Sequence, residues 1–387
     1  MKKLLVNRKI LFPIIFPILF IAPINPQANV YVDPVSITLS GQTSVTFNFY
    51  ISNVVNLHSY SIDIYFDDSI IDFQQVTGGT FLSKNSSYST FLGTQPSANR
   101  ITNSFSVDEA ILGGGLTVSG SGKLFSVTFQ IISAGTSSIN ITDTELRDQF
   151  NNEISSTSSS GEVKVPISIN TRVFLQGSFY SNSMTTYLNT QGVIPLHQPY
   201  NTVPWNYAGT ESVSSGFFTN HPNIVDWILV ELRSGTSVNT LVDRKAGFIT
   251  SSGEVVGIDG NSLLYLMQPK NNYYIVIYHR NHLSIMSSVN TQLDYISTLY
   301  NYTDSQTKAY GNNSMIDLGN GFFGMIAGDA NGNGQVQNND SESIWKLEYG
   351  QAGYNNGDFN LNGQVQNNDR ETYWRSNFGK GSQVPHN

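Results

Sequence analysis

Apolar and polar residues alternate with period two through the first part of the chain. Val45, Phe47, Phe49 and Ile51 share one face of a segment, with Thr46 and Asn48 between them. Tyr60, Ile62, Ile64 and Phe66 share another, with Ser61 and Asp63 opposite, and Phe125, Val127, Phe129 and Ile131 repeat the pattern. Such alternation describes half-buried strands, and the Gly/Ser/Asn-rich breaks between them predict a β-sandwich over 29–166. Within it, 155–161 (SSTSSSG) reads as a hairpin loop before a last strand at 162–165 (EVKV), which places the boundary near Pro166. Asp67 and Asp68, just before Ser69, read as solvated turn residues.

The pattern changes over 167–327. The runs 225–232 (VDWILVEL) and 273–278 (YYIVIY) are apolar on both faces, as central strands of a packed sheet are. Ser251-Ser252-Gly253 reads as a hairpin turn. This middle region is therefore a second β-rich domain. After it the chain becomes Asn/Gly-rich, with short amphipathic runs that predict two small helices. In these runs Trp345 and Tyr349, then Trp374 and Phe378, lie four apart on one helix face. The overall expectation is a mainly β chain: sandwich, β-rich middle domain, and a small α-helical module over 328–387.

The chain has 387 residues, of which 12% are charged, with a net charge of −8 and no basic stripe. That balance argues against a nucleic-acid partner. Cysteine is absent, which excludes disulfides, thiol catalysis and cysteine-ligated zinc. Lys2, Lys3, Arg8 and Lys9 precede a 15-residue apolar stretch at 10–24, the form of an export signal over 1–28 with cleavage after Ala28. The expected location is secreted or at the cell surface. Asn/Gly-rich modules without disulfides leave a metal as the available staple.

The specific chemistry lies in a duplicated loop. The first copy is Asp329-Ala330-Asn331-Gly332-Asn333-Gly334-Gln335-Val336-Gln337-Asn338-Asn339-Asp340; the second is Asp358-Phe359-Asn360-Leu361-Asn362-Gly363-Gln364-Val365-Gln366-Asn367-Asn368-Asp369. Oxygen-bearing side chains at positions 1, 3, 5, 9 and 12, with glycine at 6, match the ligand spacing of an EF-hand-type calcium loop. Asp329, Asn331 and Asn333 would give side-chain oxygens and Gln335 its carbonyl. Gln337 sits at the position that often acts through water, and Asp340 closes the site. Asp358, Asn360, Asn362, Gln364, Gln366 and Asp369 repeat these roles. Two Ca²⁺ ions are expected. With two carboxylates per loop the affinity should be modest, on the order of 10⁻⁴–10⁻³ M.

This tail resembles a dockerin, a tandem of calcium loop plus helix that binds a cohesin. It departs at loop position 5, where the family usually has aspartate and this chain has Asn333 and Asn362. Positions 10 and 11, which read the partner in dockerins, are Asn338-Asn339 and Asn367-Asn368. The sandwich in turn resembles a cohesin or a related carbohydrate-binding sandwich, through 30–34 (VYVDP), 60–73 (YSIDIYFDDSIIDF) and 122–131 (GKLFSVTFQI). The resemblance implies either a dockerin-binding face or a sugar-binding role there. Cohesin- or dockerin-bearing secreted proteins are the implied partners, with polysaccharide as a further one.

Other candidates are weaker. His279 and His282 flank Arg280 and would need a turn to ligate together. Glu211, Asp226 and Glu231 would have to form a carboxylate pair for glycoside hydrolysis, and nothing in their spacing says so. Trp205 and Tyr207, on a Pro/Asn-rich loop, are candidate sugar-stacking residues. No nucleophile elbow, zinc-protease helix or phosphate loop occurs. The reading is a secreted, non-catalytic assembly or adhesion protein linked to carbohydrate binding or polysaccharide catabolism. The alternative is a carbohydrate-binding protein using the sandwich or the middle-region aromatics, and a glycoside hydrolase ranks below both.

Overall fold

The computed structural model describes residues 27–96 and 103–385. The export signal expected over 1–28 therefore lies outside the described residues except for Gln27 and Ala28. Ala28 is buried as the first residue of a strand, so cleavage after it would remove that position.

Eleven strands build the sandwich: β1 (Ala28–Asp33), β2 (Ser36–Thr38), β3 (Ser44–Leu57), β4 (Ser59–Tyr65), β5 (Ile71–Gly78), β6 (Thr90–Pro96), β7 (Ser104–Ile111), β8 (Val118–Ile131), β9 (Gly135–Arg147), β10 (Ser156–Ser159) and β11 (Gly161–Val165). One sheet has the order β10-β1-β3-β8-β5 and the other β2-β11-β9-β4-β7-β6. The period-two residues turn inward as expected. Phe47, Phe49, Phe125 and Phe129 are fully buried, and the Phe49 and Phe125 rings stack at 4.6 Å. Each such side chain contributes roughly 1.5–3 kcal/mol through burial. Asp67 accepts the Ser69 backbone N–H and hydroxyl, so it does close a turn.

One expectation fails here. The serine run is not a loop: β10 is an edge strand that pairs in parallel with β1. Its ladder uses only backbone groups, and Thr157, Ser158 and Ser159 stay exposed, so no apolar periodicity marks it.

Pro166 leads without a linker into Ile167–Ile169, which pairs with Leu264–Leu266. The main sheet of the middle region has Ile224–Arg233 at its centre, between Leu241–Thr250 and Asn271–His279, with His282–Met286 beyond. Every residue of Ile224–Arg233 is buried, which explains why apolar residues occupy both faces; the charged exceptions Asp226, Glu231 and Arg233 are paired inside. The Ser251–Gly253 turn forms as expected, with the Gly253 N–H bonded to the Thr250 carbonyl. The sandwich is fixed to this region by Asp294, which accepts from Ser133 and Ala134 and pairs with Lys270.

The tail carries two helical runs. Asp340–Trp345 is π-wound and continues as Lys346–Glu348; Asp369–Trp374 continues as Arg375–Asn377. Ala330, Val336, Phe359 and Trp374 of the tail pack with Leu283, Ile326 and Ala327 of the middle region in one apolar cluster. The tail is thus seated on the middle region instead of standing apart from it.

Candidate metal centre

Each loop folds around its own side-chain oxygens. In the first, Asp329 accepts the Gly334 N–H, Asn331 the Asn333 N–H, and Asn333 the Gln335 N–H. Asp340 closes the ring by accepting from Asn331 and Gln337. The second loop repeats all of this, with Asp358 accepting from Gly363, Asn360 from Asn362, Asn362 from Gln364, and Asp369 from Asn360 and Gln366. Gly334 and Gly363 have φ of +83° and +80°, a left-handed conformation that only glycine takes at little cost.

The two copies are cross-linked. Val336 exchanges backbone hydrogen bonds with Gly379 and Lys380 beyond the second helix, and Val365 with Gly350 and Gln351 beyond the first. The Trp374 indole donates to the Gln337 carbonyl at 2.9 Å, and the Trp345 indole to the Gln366 carbonyl at 3.0 Å. Arg370 lies over both indole rings. The expected aromatic pairs form, with Trp345–Tyr349 at 5.1 Å and Trp374–Phe378 at 5.2 Å.

The electrostatics fit a cation. Asp329, Asp340, Asp358 and Asp369 are all buried. Burial, then the neighbouring Asp340 charge, pushes Asp329 up to about 8, and burial pushes Asp369 up to about 7. Asp340 and Asp358 are also raised by burial, although Arg280 opposes the shift at Asp358. Asp329 Oδ1 is buried with no hydrogen-bond partner. Paired buried carboxylates without a counter-cation are costly. A hard divalent cation with oxygen ligands would relieve that cost, and two carboxylates would balance its charge. The donors would be Asp329, Asn331, Asn333, Gln335, Gln337 and Asp340 in one loop. In the other they would be Asp358, Asn360, Asn362, Gln364, Gln366 and Asp369. Among the described residues, the two loops included, no three His, Asp or Glu side chains converge; each loop offers two carboxylates and otherwise neutral oxygens.

The copies differ only at loop positions 2 and 4. Position 4 is Gly332 in the first, where a Cβ would lie 2.7 Å from the Trp205 ring. It is Leu361 in the second, also at positive φ (+57°), with its side chain buried in the main core. Position 2 is Ala330 or the fully buried Phe359.

The second loop is held by groups that sequence reasoning missed. Arg280, buried in the turn after Asn271–His279, donates to Asp226 and to the Asn355 carbonyl, and lies 4.2 Å above the Tyr354 ring. Asn281 donates to the carbonyls of Asn356 and Asp358. Tyr354 donates to Asp226 at 2.7 Å. Gly177 approaches so closely that a Cβ would lie 1.8 Å from the Phe359 carbonyl oxygen. The available signal was a buried-looking His-Arg-Asn-His turn in a chain with few charges.

The remaining candidates have structural roles. His279 and His282 do meet across a turn, with their Nδ1 atoms 3.1 Å apart. His279 bonds Asp226, His282 accepts from the Gly177 N–H, and burial pushes both imidazoles down. Glu231 pairs with Arg233 and Arg244, and Glu211 accepts from Tyr207. Asp226 and Glu231 are therefore closed off in ion pairs. Trp205 packs edge-on against Tyr200 at 5.2 Å, and both Trp205 and Tyr207 are half-buried against the core. Neither is presented as an open sugar platform. By contrast, Asn338, Asn339, Asn367 and Asn368 are all exposed where the helical runs begin.

No family model matches the chain, and no curated protein does. Solved structures match about a third of it. One is a non-cellulosomal cohesin from the archaeon Archaeoglobus fulgidus, with TM-score 0.30 and 16% identity over 36% of this chain and 91% of that one. A chain of a type I cohesin–dockerin complex from Clostridium thermocellum gives 0.30 and 14% over 35% and 92%. The second type II cohesin module of the ScaA scaffoldin of Acetivibrio cellulolyticus gives 0.30 and 13% over 35% and 94%. The likeness is one of fold alone: part of this mainly β chain is similar to cohesin β-sandwiches.

Proposed function

We propose that the chain is a secreted, non-catalytic assembly or adhesion protein whose tail is shaped by two calcium ions. The observation that carries this reading is the duplicated loop. Four buried carboxylates sit two to a loop, each pair in an oxygen-only cage, and one oxygen has no protein partner. Calcium here organises structure. It holds the helix starts in place, and the exposed asparagines at loop positions 10 and 11 form the surface a partner reads.

The sandwich supplies a second recognition surface. By the resemblance of its strands, and of the tail, the partners are cohesin- or dockerin-bearing secreted proteins, in the setting of polysaccharide breakdown. Asp226 and Glu231 are paired with arginines and Glu211 accepts from Tyr207, which favours a non-enzyme over a glycoside hydrolase.

The test is surface plasmon resonance of the full chain against purified cohesin and dockerin modules, in calcium and in EGTA. Binding that requires calcium and weakens in Asn338→Ala/Asn339→Ala/Asn367→Ala/Asn368→Ala is the expected result. No binding to either module class in calcium would overturn the assembly reading.

A further inference from the structure

A cleft of about 250 Å³ opens where the middle region meets the second loop. Tyr180 and Tyr187 line it and are 74% and 53% exposed. Thr185 completes the wall on the middle-region side, and Asn360, Asn362 and Tyr373 line it from the tail. No lining residue carries an ionised side chain at neutral pH. The volume lies just below the roughly 300–1,000 Å³ of pockets that engulf drug-sized ligands, so it suits one ring of a longer molecule.

The cleft is built rather than incidental. Tyr180 sits on the tight hairpin formed by Phe179–Tyr180 and Ser183–Met184, whose tip residues Ser181 and Asn182 both have positive φ. The neighbouring Phe179 is anchored between Phe174 and Phe322, at 5.0 and 5.8 Å. Tyr187 opens a short helical turn fixed by Asn189, which donates to the His221 and Ile224 carbonyls. Gln191, at the end of that turn, donates to the Asn362 carbonyl at 2.7 Å and so registers the tyrosine on the loop.

The amides complete the chemistry. Asn360 Oδ1 accepts from the Asn362 N–H and Asn362 Oδ1 from the Gln364 N–H, so both oxygens face the loop interior. An amide with its oxygen inward directs its NH₂ outward. Neither NH₂ has a protein acceptor among the described residues. Two tyrosines with apolar faces and polar tips thus stand across from two free amide donors, with a threonine hydroxyl beside them. Flat aromatic faces with neutral donors and acceptors match a ring that has both C–H faces and hydroxyls.

We infer that this cleft is a binding site for a neutral sugar residue, held between Tyr180 and Tyr187 and hydrogen-bonded by Asn360 and Asn362. Calcium in the second loop would fix the two amides and so support the site without touching the sugar. At the first loop the Trp205 ring lies against the fourth position instead.

Affinity electrophoresis of the full chain in calcium tests this, using gels that contain glucans, mannan or galactan, with polygalacturonate as the charged comparator. At least one neutral polysaccharide should retard the chain. Tyr180→Ala/Tyr187→Ala should weaken binding of that polymer's hexasaccharide about tenfold in calorimetry, the loss of two aromatic contacts. Trp205→Ala should leave it unchanged, and EGTA should weaken it. Both tyrosines are exposed, so the thermal midpoint of the double variant should match the parent. The proposal is overturned if no neutral polymer retards the chain, if polygalacturonate binds best, or if the double variant binds like the parent. Since the docking test reads protein modules and the helix-start asparagines, either can fail without the other.

Discussion

The two duplicated loops share ten of twelve residues and repeat the same pattern of internal hydrogen bonds, yet they sit in different surroundings. The first packs Ala330 and Val336 on Leu283, Ile326 and Ala327 and has Trp205 against its fourth position, but its third to fifth positions are more exposed than those of the second. The second is locked into the middle region by Arg280, Asn281, Gly177 and Gln191, with Phe359 and Leu361 driven into apolar clusters. The shared positions set the ligand cage. The two that differ set where each cage is anchored. A repeat can therefore conserve its chemistry while its non-ligand positions assign one copy to structure and leave the other more open.

The largest effect should come from Arg280→Ala. It leaves Asp226 buried without its arginine and removes the bond to Asn355, a loss of about 3–5 kcal/mol for a broken buried pair. Denaturant unfolding of the full chain should show it, and calcium affinity should fall at one of two sites only. Equal loss at both would dissolve the contrast between the loops. Leu361→Ala comes next, at about 2–5 kcal/mol for a large-to-small change in a packed core, again with the second site affected first. Trp205→Ala should act on the other copy, costing about 2 kcal/mol of apolar burial and weakening the first site. If Trp205→Ala disturbs the second loop instead, the assignment of covers to loops is wrong. The smallest effect belongs to the four helix-start asparagines. They are exposed, so their alanine variant should stay within about 0.5 kcal/mol of the parent in the same unfolding experiment while partner binding falls.

Legibility followed the range of the interactions. Strands such as β3, β4 and β8 were readable because one buried face imposes period two on the sequence. The oxygen-bearing residues of the two loops were readable because a twelve-residue loop of this kind repeats them at fixed local spacing. The edge strand β10 was not, because backbone pairing leaves no mark on exposed serines. The seam around Arg280 was also invisible. Asp226, Arg280, Tyr354 and Gly177 are far apart in sequence and meet only through the folding of the whole chain. His279 and His282 stand out by their spacing, but Arg280 and Asn281 between them make the contacts with the second loop. Trp205 looked like a sugar platform because an aromatic on a polar loop has two readings, and only packing against Tyr200 and Gly332 separates them.

The central claim is that two calcium ions hold the tail against the middle region. Calorimetric calcium titration of the chelator-treated full chain, paired with hydrogen exchange in calcium and in EGTA, tests it most directly. Two ions per chain are predicted, stabilising by about 2.7 kcal/mol each at a hundredfold excess over Kd. Removing them should deprotect both loops together with the His279–His282 turn. No calcium uptake, or an exchange pattern the same in calcium and EGTA, would contradict the account.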